Sequence, residues 1–275
     1  ALDLARGLDE PDSHCAALQG LGSTALSQGD LSAAGARFRE GLQVAEAADL
    51  GARQAGFLSN LGTLAVSQGD RERARQHFEA GLALASGAGD PAMTMALLSN
   101  LGTVHAGAGE RQAAQAAFQR ALELAQEQGD RLTMAALLTN LGTLAHEQGQ
   151  DEGARKAFEE ALELARGSGD RARTSQLLAN LGALMTAARA FEQAEGYIKE
   201  GIAIAEGIGH REHVIQLRIN LAELEFARNH TRAGMDILRQ AAGEAGAIQH
   251  RRYGAIIAEM LASREGTTSR QEEDA

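Results

Sequence analysis

One tripeptide returns every 40 residues: Asn60-Leu61-Gly62, Asn100-Leu101-Gly102, Asn140-Leu141-Gly142 and Asn180-Leu181-Gly182. Gly20-Leu21-Gly22 and Asn220-Leu221-Ala222 extend the series with one change each. Phe38, Phe78, Phe118 and Phe158 keep the same spacing, and Ile198 and Leu238 take the next two places. A repeat of this length is one supersecondary unit that cannot bury its apolar face alone. Neighbouring units must therefore stack, and the core lies between them.

Glycine shows what the unit is. Gly29-Asp30, Gly69-Asp70, Gly109-Glu110 and Gly149-Gln150 mark one boundary of the repeat. Gly89-Asp90, Gly129-Asp130, Gly169-Asp170 and Gly209-His210 mark another, half a period away. Glycine supplies the left-handed conformation that ends a helix, and aspartate caps the next helix at its positive dipole end. Each repeat is thus two helices of roughly four to five turns joined by very short turns. Composition agrees: Ala, Leu, Gln, Glu and Arg are abundant helix formers, with only two prolines in the chain. Leu58, Leu61, Gly62 and Ala65 share one face of a first helix, and Ala74, Phe78 and Leu82 one face of a second. Gly62 and Ala74 are expected to let the paired helices approach, with Phe78 filling the space between neighbouring pairs.

These residues resemble the tetratricopeptide repeat, whose pattern runs aromatic, Leu-Gly, aromatic, then Ala-x-x-x-Phe in the second helix. Leu61-Gly62 and Ala74-x-x-x-Phe78 match it, as do Ala114-x-x-x-Phe118 and Ala154-x-x-x-Phe158. Leu58 and Ala65 replace the two aromatics, the usual proline after the second helix is absent, and the unit is longer than the common ~34 residues. The long form resembles repeats of kinesin light chain, of Pins-type polarity scaffolds and of bacterial regulator arms. The resemblance implies an all-α, right-handed α-solenoid (a superhelix) of about six antiparallel helix-pair repeats with a C-terminal capping helix.

A single domain over residues 1–265 is expected, with repeats beginning near 11, 51, 90, 130, 170 and 210. Ala1-Leu2-Asp3-Leu4-Ala5 aligns with Ala121-Leu122-Glu123-Leu124-Ala125, so residues 1–10 read as the end of a preceding repeat in a longer protein. The last repeat is eroded at Arg218, Glu225 and Gly234. A cap helix is expected near 252–263, and a disordered tail over 266–275.

A net charge of −11 excludes a general nucleic-acid or anionic-membrane binder. Cys15 is the sole cysteine, and no apolar run is long enough to span a membrane or open a secretory path, so a cytoplasmic chain is expected. No cofactor, metal or catalytic set is called for. His210 and His213 lie one turn apart without further ligands, and Gly20-Leu21-Gly22 lacks the preceding strand of a phosphate loop.

The candidate site is a second stripe on the first helices: Gly56, Asn60, Thr63 and Ser67, then Ala96, Asn100, Thr103 and Gly107, then Ala136, Asn140, Thr143 and Glu147. The family resemblance puts this face in the concave groove. An asparagine amide both donates and accepts, so it can pair with a peptide N–H and C=O together. The resemblance carries a peptide-binding role to Asn60, Asn100, Asn140, Asn180 and Asn220. Thr63, Thr103 and Thr143 would add hydroxyls, with Ser59, Ser99 and Thr139 beside them. The alternative is that each asparagine bonds the adjacent repeat and sets the stacking angle. Free amides would favour the first role and fully bonded ones the second. The carboxylate clamp known in the family needs groove Lys or Arg, which repeats two to four lack; groove charge is expected only at Arg218 and Glu223. The expected function is a protein-interaction scaffold for an extended peptide or partner segment. The other reading is a sensory or self-assembly arm packing on its own effector domain or on another copy.

Overall fold

The structure, a computed structural model, describes residues 10–273, with side chains through residue 264. The expected tail of a preceding repeat therefore lies outside the described residues up to position 9, as do positions 274 and 275. Among the described residues there are thirteen α-helices and no strand. They fall into two compact units, Ala1–Thr133 and Met134–Ala275. The first holds α1 (Pro11–Ser27), α2 (Leu31–Ala47), α3 (Gly51–Ser67), α4 (Arg71–Gly87), α5 (Pro91–Gly107) and α6 (Arg111–Gln128). Most of α7 (Arg131–Glu147) belongs to the second, with α8 (Asp151–Ser168), α9 (Arg171–Ala187), α10 (Phe191–Gly207), α11 (Arg211–Ala227), α12 (Thr231–Ala247) and α13 (Arg251–Glu273). The end helix begins where the cap is expected and continues as helical backbone to Glu273.

The turns are the most regular part of the chain. Gly69 has φ +78°, and behind it Asp70 N–H donates to Ala65 O at 2.9 Å and Gly69 N–H to Val66 O at 3.0 Å. This closes the last helical turn on itself. A left-handed residue recurs every 20 positions from Gly29 to Gln249, and it is glycine except at Asp49, Arg189, Asn229 and Gln249. Asp30, Asp70, Asp90, Asp130 and Asp170 then accept the backbone N–H three residues on. In the last two first helices histidine takes over this cap, as His210 and His250 accept through Nδ1 from the backbone N–H groups of His213 and Tyr253.

In the first four pairs, a ring of the second helix lies on a glycine of the first. A Cβ on Gly22, Gly62, Gly102 or Gly142 would overlap the ring of Phe38, Phe78, Phe118 or Phe158, and one on Gly182 would overlap Ile198. This corrects the sequence expectation: Phe78 packs first inside its own pair. Phe57 on Gly41, and Leu97 beside Gly81, fill the space between neighbouring pairs. The Ala-x-x-x-Phe face points back at its own first helix, so the next first helix must bring its own apolar side chain. Both contacts join one core, since Phe78 clusters with Ala55, Ala74, Leu97 and Leu101.

The last repeat is not simply eroded. Its lock is exchanged: Phe226 on the first helix lies where a Cβ of Gly234 on the second would be. Ala222 and Leu238 stand at the old positions, and both are fully buried.

Two outcomes follow for stability. Gly102→Ala is expected to cost about 1–3 kcal/mol by overpacking against Phe118, although it removes a helix-interior glycine. Urea unfolding measures the loss, and Phe118→Leu in the same chain should restore most of it. Arg189→Gly is expected to gain up to about 1 kcal/mol in the same assay, because an L-residue in the left-handed region is strained.

Candidate functional site

Within each unit the first helices of successive pairs touch: α1 with α3 and α3 with α5 in one unit, α9 with α11 and α11 with α13 in the other. Successive second helices stand further apart. Each stack therefore bends so that its first helices line the concave side, and the asparagine stripe lies along that seam.

The stripe divides into two kinds of asparagine. Asn220 is buried, donates through Nδ2 to Ala179 O at 2.9 Å, and accepts from Gln216 Nε2 at 3.0 Å. Its amide ties α11 to α9 and is committed to stacking. Asn60, Asn100, Asn140 and Asn180 are half-buried and make no side-chain hydrogen bond among the described residues. Nδ2 of Asn60 is shielded from solvent and has no partner. A buried donor left unpaired costs about 1–3 kcal/mol, and a ligand acceptor would recover it.

The hydroxyls also divide. Thr63, Thr103 and Thr143 are exposed and donate to the carbonyls of Ser59, Ser99 and Thr139 one turn back, which leaves their oxygens able to accept. Thr139 is buried and donates to Ala135 O at 2.6 Å. Ser59 and Ser99 are half-buried beside the asparagines. A Cβ on Gly56 would meet only Met93 Cε at 3.9 Å, so the groove there has room.

Arg218 does not reach the groove as the sequence suggested. It replaces Leu58, Leu98, Leu138 and Leu178 of earlier repeats and points to the second helices. There it bonds Glu206 of α10 at 3.0 Å and Glu244 of α12. Glu223 is exposed on the concave side.

The second unit departs from the small-residue pattern: Gln176 and Gln216 stand where Gly56, Ala96 and Ala136 stand earlier. Sequence reasoning passed over both because they break the repeat, although aligning the 40-residue units exposes them. Beside them His213 stacks on His210 with ring centroids 3.8 Å apart. Burial, reinforced by His210, pulls the His213 imidazole below the usual histidine range.

The model of the tetratricopeptide repeat matches residues 53–127 and 132–207, more than half of the chain. The chain belongs to the tetratricopeptide repeat family. Curated proteins offer no sequence match. Solved structures share the tetratricopeptide fold at low identity. BtubC (BKLC) from P. vanneervenii is 20% identical with a TM-score of 0.68, covering 85% of this chain and 92% of that one. The STAND protein PH0952 from Pyrococcus horikoshii, which carries a tetratricopeptide repeat sensor, is 16% identical with a TM-score of 0.75; the match covers 93% of this chain and 40% of that one. A Rap protein complexed with Competence and Sporulation Factor is 13% identical with a TM-score of 0.67, covering 98% and 80%. The tetratricopeptide fold is that of an interaction scaffold. Among the described residues no cluster of three or more His, Cys, Asp or Glu could hold a metal, and no helix is long and apolar enough to cross a membrane.

The depressed His213 has a stability consequence. The unfolded chain takes up this proton at a higher pH than the folded one, so stability is fullest above the usual histidine range and falls as pH drops through it. His77 on α4, shifted down by burial, acts in the same direction. The melting temperature is expected to fall between about pH 7.5 and about pH 5.5, and His77→Gln with His213→Gln should flatten that slope.

Proposed function

We propose that the chain holds an extended peptide segment of a protein partner along the concave faces of its first helices. Asn60 and Asn100 pair with peptide backbone in the first unit, and Asn140 and Asn180 do so in the second. Asn220 holds the stack. The observation that carries this reading is the contrast within one ladder: Asn220 satisfies its amide inside the protein, while its four counterparts do not. A side chain needed only for stacking would show the Asn220 arrangement in every repeat. The exposed threonines supply acceptors beside the amides, and the open space at Gly56 admits a backbone. Such contacts hold main chain, so affinity depends on extension more than on peptide sequence. The groove asparagines lack basic neighbours in repeats two to four, so a free C-terminal carboxylate is not the anchor.

The experiment captures a partner on the immobilised chain, maps its bound segment, and measures that peptide by calorimetry. Asn60→Ala with Asn100→Ala is expected to weaken binding about tenfold or more, at roughly 0.5–1.5 kcal/mol per lost hydrogen bond, with the melting temperature unchanged. Gly56→Phe should block the groove equally without unfolding the chain. Undiminished affinity in both variants overturns the reading.

A further inference from the structure

On the concave side of the second unit, α9, α11 and α13 enclose a cleft of about 250 Å³ lined by Gln176, Ala179, Asn180, His213, Gln216 and Tyr253. That volume suits a single side chain and is below the ~300 Å³ at which sites for drug-sized ligands begin. Its lining contains no Asp, Glu, Lys or Arg. The polar groups are held in place from behind. Ala179 O fixes Asn220, Asn220 fixes Gln216 through its Nε2, and Gln216 Oε1 is left without a partner. His213 Nδ1 lies 3.5 Å from Oγ of the buried Ser175, which leaves Nε2 as its open ring nitrogen. The amides of Gln176 and Asn180 and the hydroxyl of Tyr253 make no hydrogen bond among the described residues.

This lining sets three conditions on an occupant. An ionised group would meet no Asp, Glu, Lys or Arg in the lining, and His213, held below the usual histidine range by burial, supplies no counter-charge at neutral pH, so its desolvation would go uncompensated. An apolar group would cover the amide and phenol groups and leave them unpaired. A hydroxyl meets one neighbour at a time, whereas a primary amide offers two donors and an acceptor in one plane, the complement of another amide.

We propose that this cleft is a specificity pocket for a neutral carboxamide side chain, glutamine or asparagine, on the bound peptide. The proposal rests on the reading of the concave side as a peptide groove. It adds a sequence preference to a ladder that otherwise grips only main chain. The cleft spans the last two first helices and the end helix, which supplies Tyr253, and the earlier repeats carry Gly56, Ala96 and Ala136 where Gln176 and Gln216 stand.

The test is a titration of the full ¹⁵N-labelled chain, followed by NMR, with N-acetyl-glutamine N-methylamide. The glutamate and alanine analogues serve as controls, and all three share the same backbone amides. The glutamine compound is expected to give saturable shifts of the Gln176, Asn180 and Gln216 side-chain amides at tens of millimolar, with the glutamate analogue at least about tenfold weaker. Asn180→Leu should abolish the shifts while the melting temperature holds, and Tyr253→Phe should weaken them. Equal shifts from the alanine analogue would mean that the cleft takes backbone and overturn the proposal. So would equal shifts from the glutamate analogue, or no saturable shift at these amides. The peptide-groove reading is tested separately through Asn60, Asn100 and Gly56 in the first unit, so either can fail alone.

Discussion

The contact of the Phe78 ring with the bare backbone at Gly62 governs much of what surrounds it. A helix–helix seam closed in this way has no space for a side chain on the first helix while the facing side chain keeps its place. With the pair set at that spacing, the next first helix is placed by its own apolar side chain, Phe57 or Leu97, over a glycine of the preceding second helix. The concave side follows from these two seams together. First helices touch one another along it, and whatever residues they present there are held by packing from behind.

The repeat made the fold readable almost residue by residue. Helix ends, turn conformation and the aspartate caps are local chemistry, and local chemistry is written in short motifs. What the sequence did not disclose was partner choice among apolar residues. Phe78 was expected between pairs and lies within one. Gly234, which looks like decay, is half of an exchanged lock with Phe226. Such reciprocity shows only when two helices are seen face to face, since each change alone reads as a loss.

The candidate site was legible in position and not in role. Counting by 40 placed Asn60, Asn100, Asn140, Asn180 and Asn220 on one stripe, but identical residues in identical places behave differently. Asn220 has Gln216 one turn before it to hold its oxygen, while Gly56, Ala96 and Ala136 offer nothing at that place to Asn60, Asn100 and Asn140, and Gln176 at the same place makes no bond to Asn180. Arg218 shows the opposite case. Its charge suggested the groove, and its register, shared with Leu58 and Leu98, sends it to two glutamates on the second helices instead.

The left-handed residue that recurs every 20 positions has a consequence for how such a chain can change its length. Between Gly29 and Gln249 the helices differ in which side chains lock them and hardly at all in how many residues they contain. A 40-residue segment cut from one turn to the equivalent turn carries a whole helix pair and one of each type of turn. Its duplication or excision shifts no cap, no turn and no seam out of register. Recombination between equivalent turns can therefore add or remove helix pairs in whole steps. The histidine-capped last pair, with its exchanged lock, would keep its place whatever number precedes it.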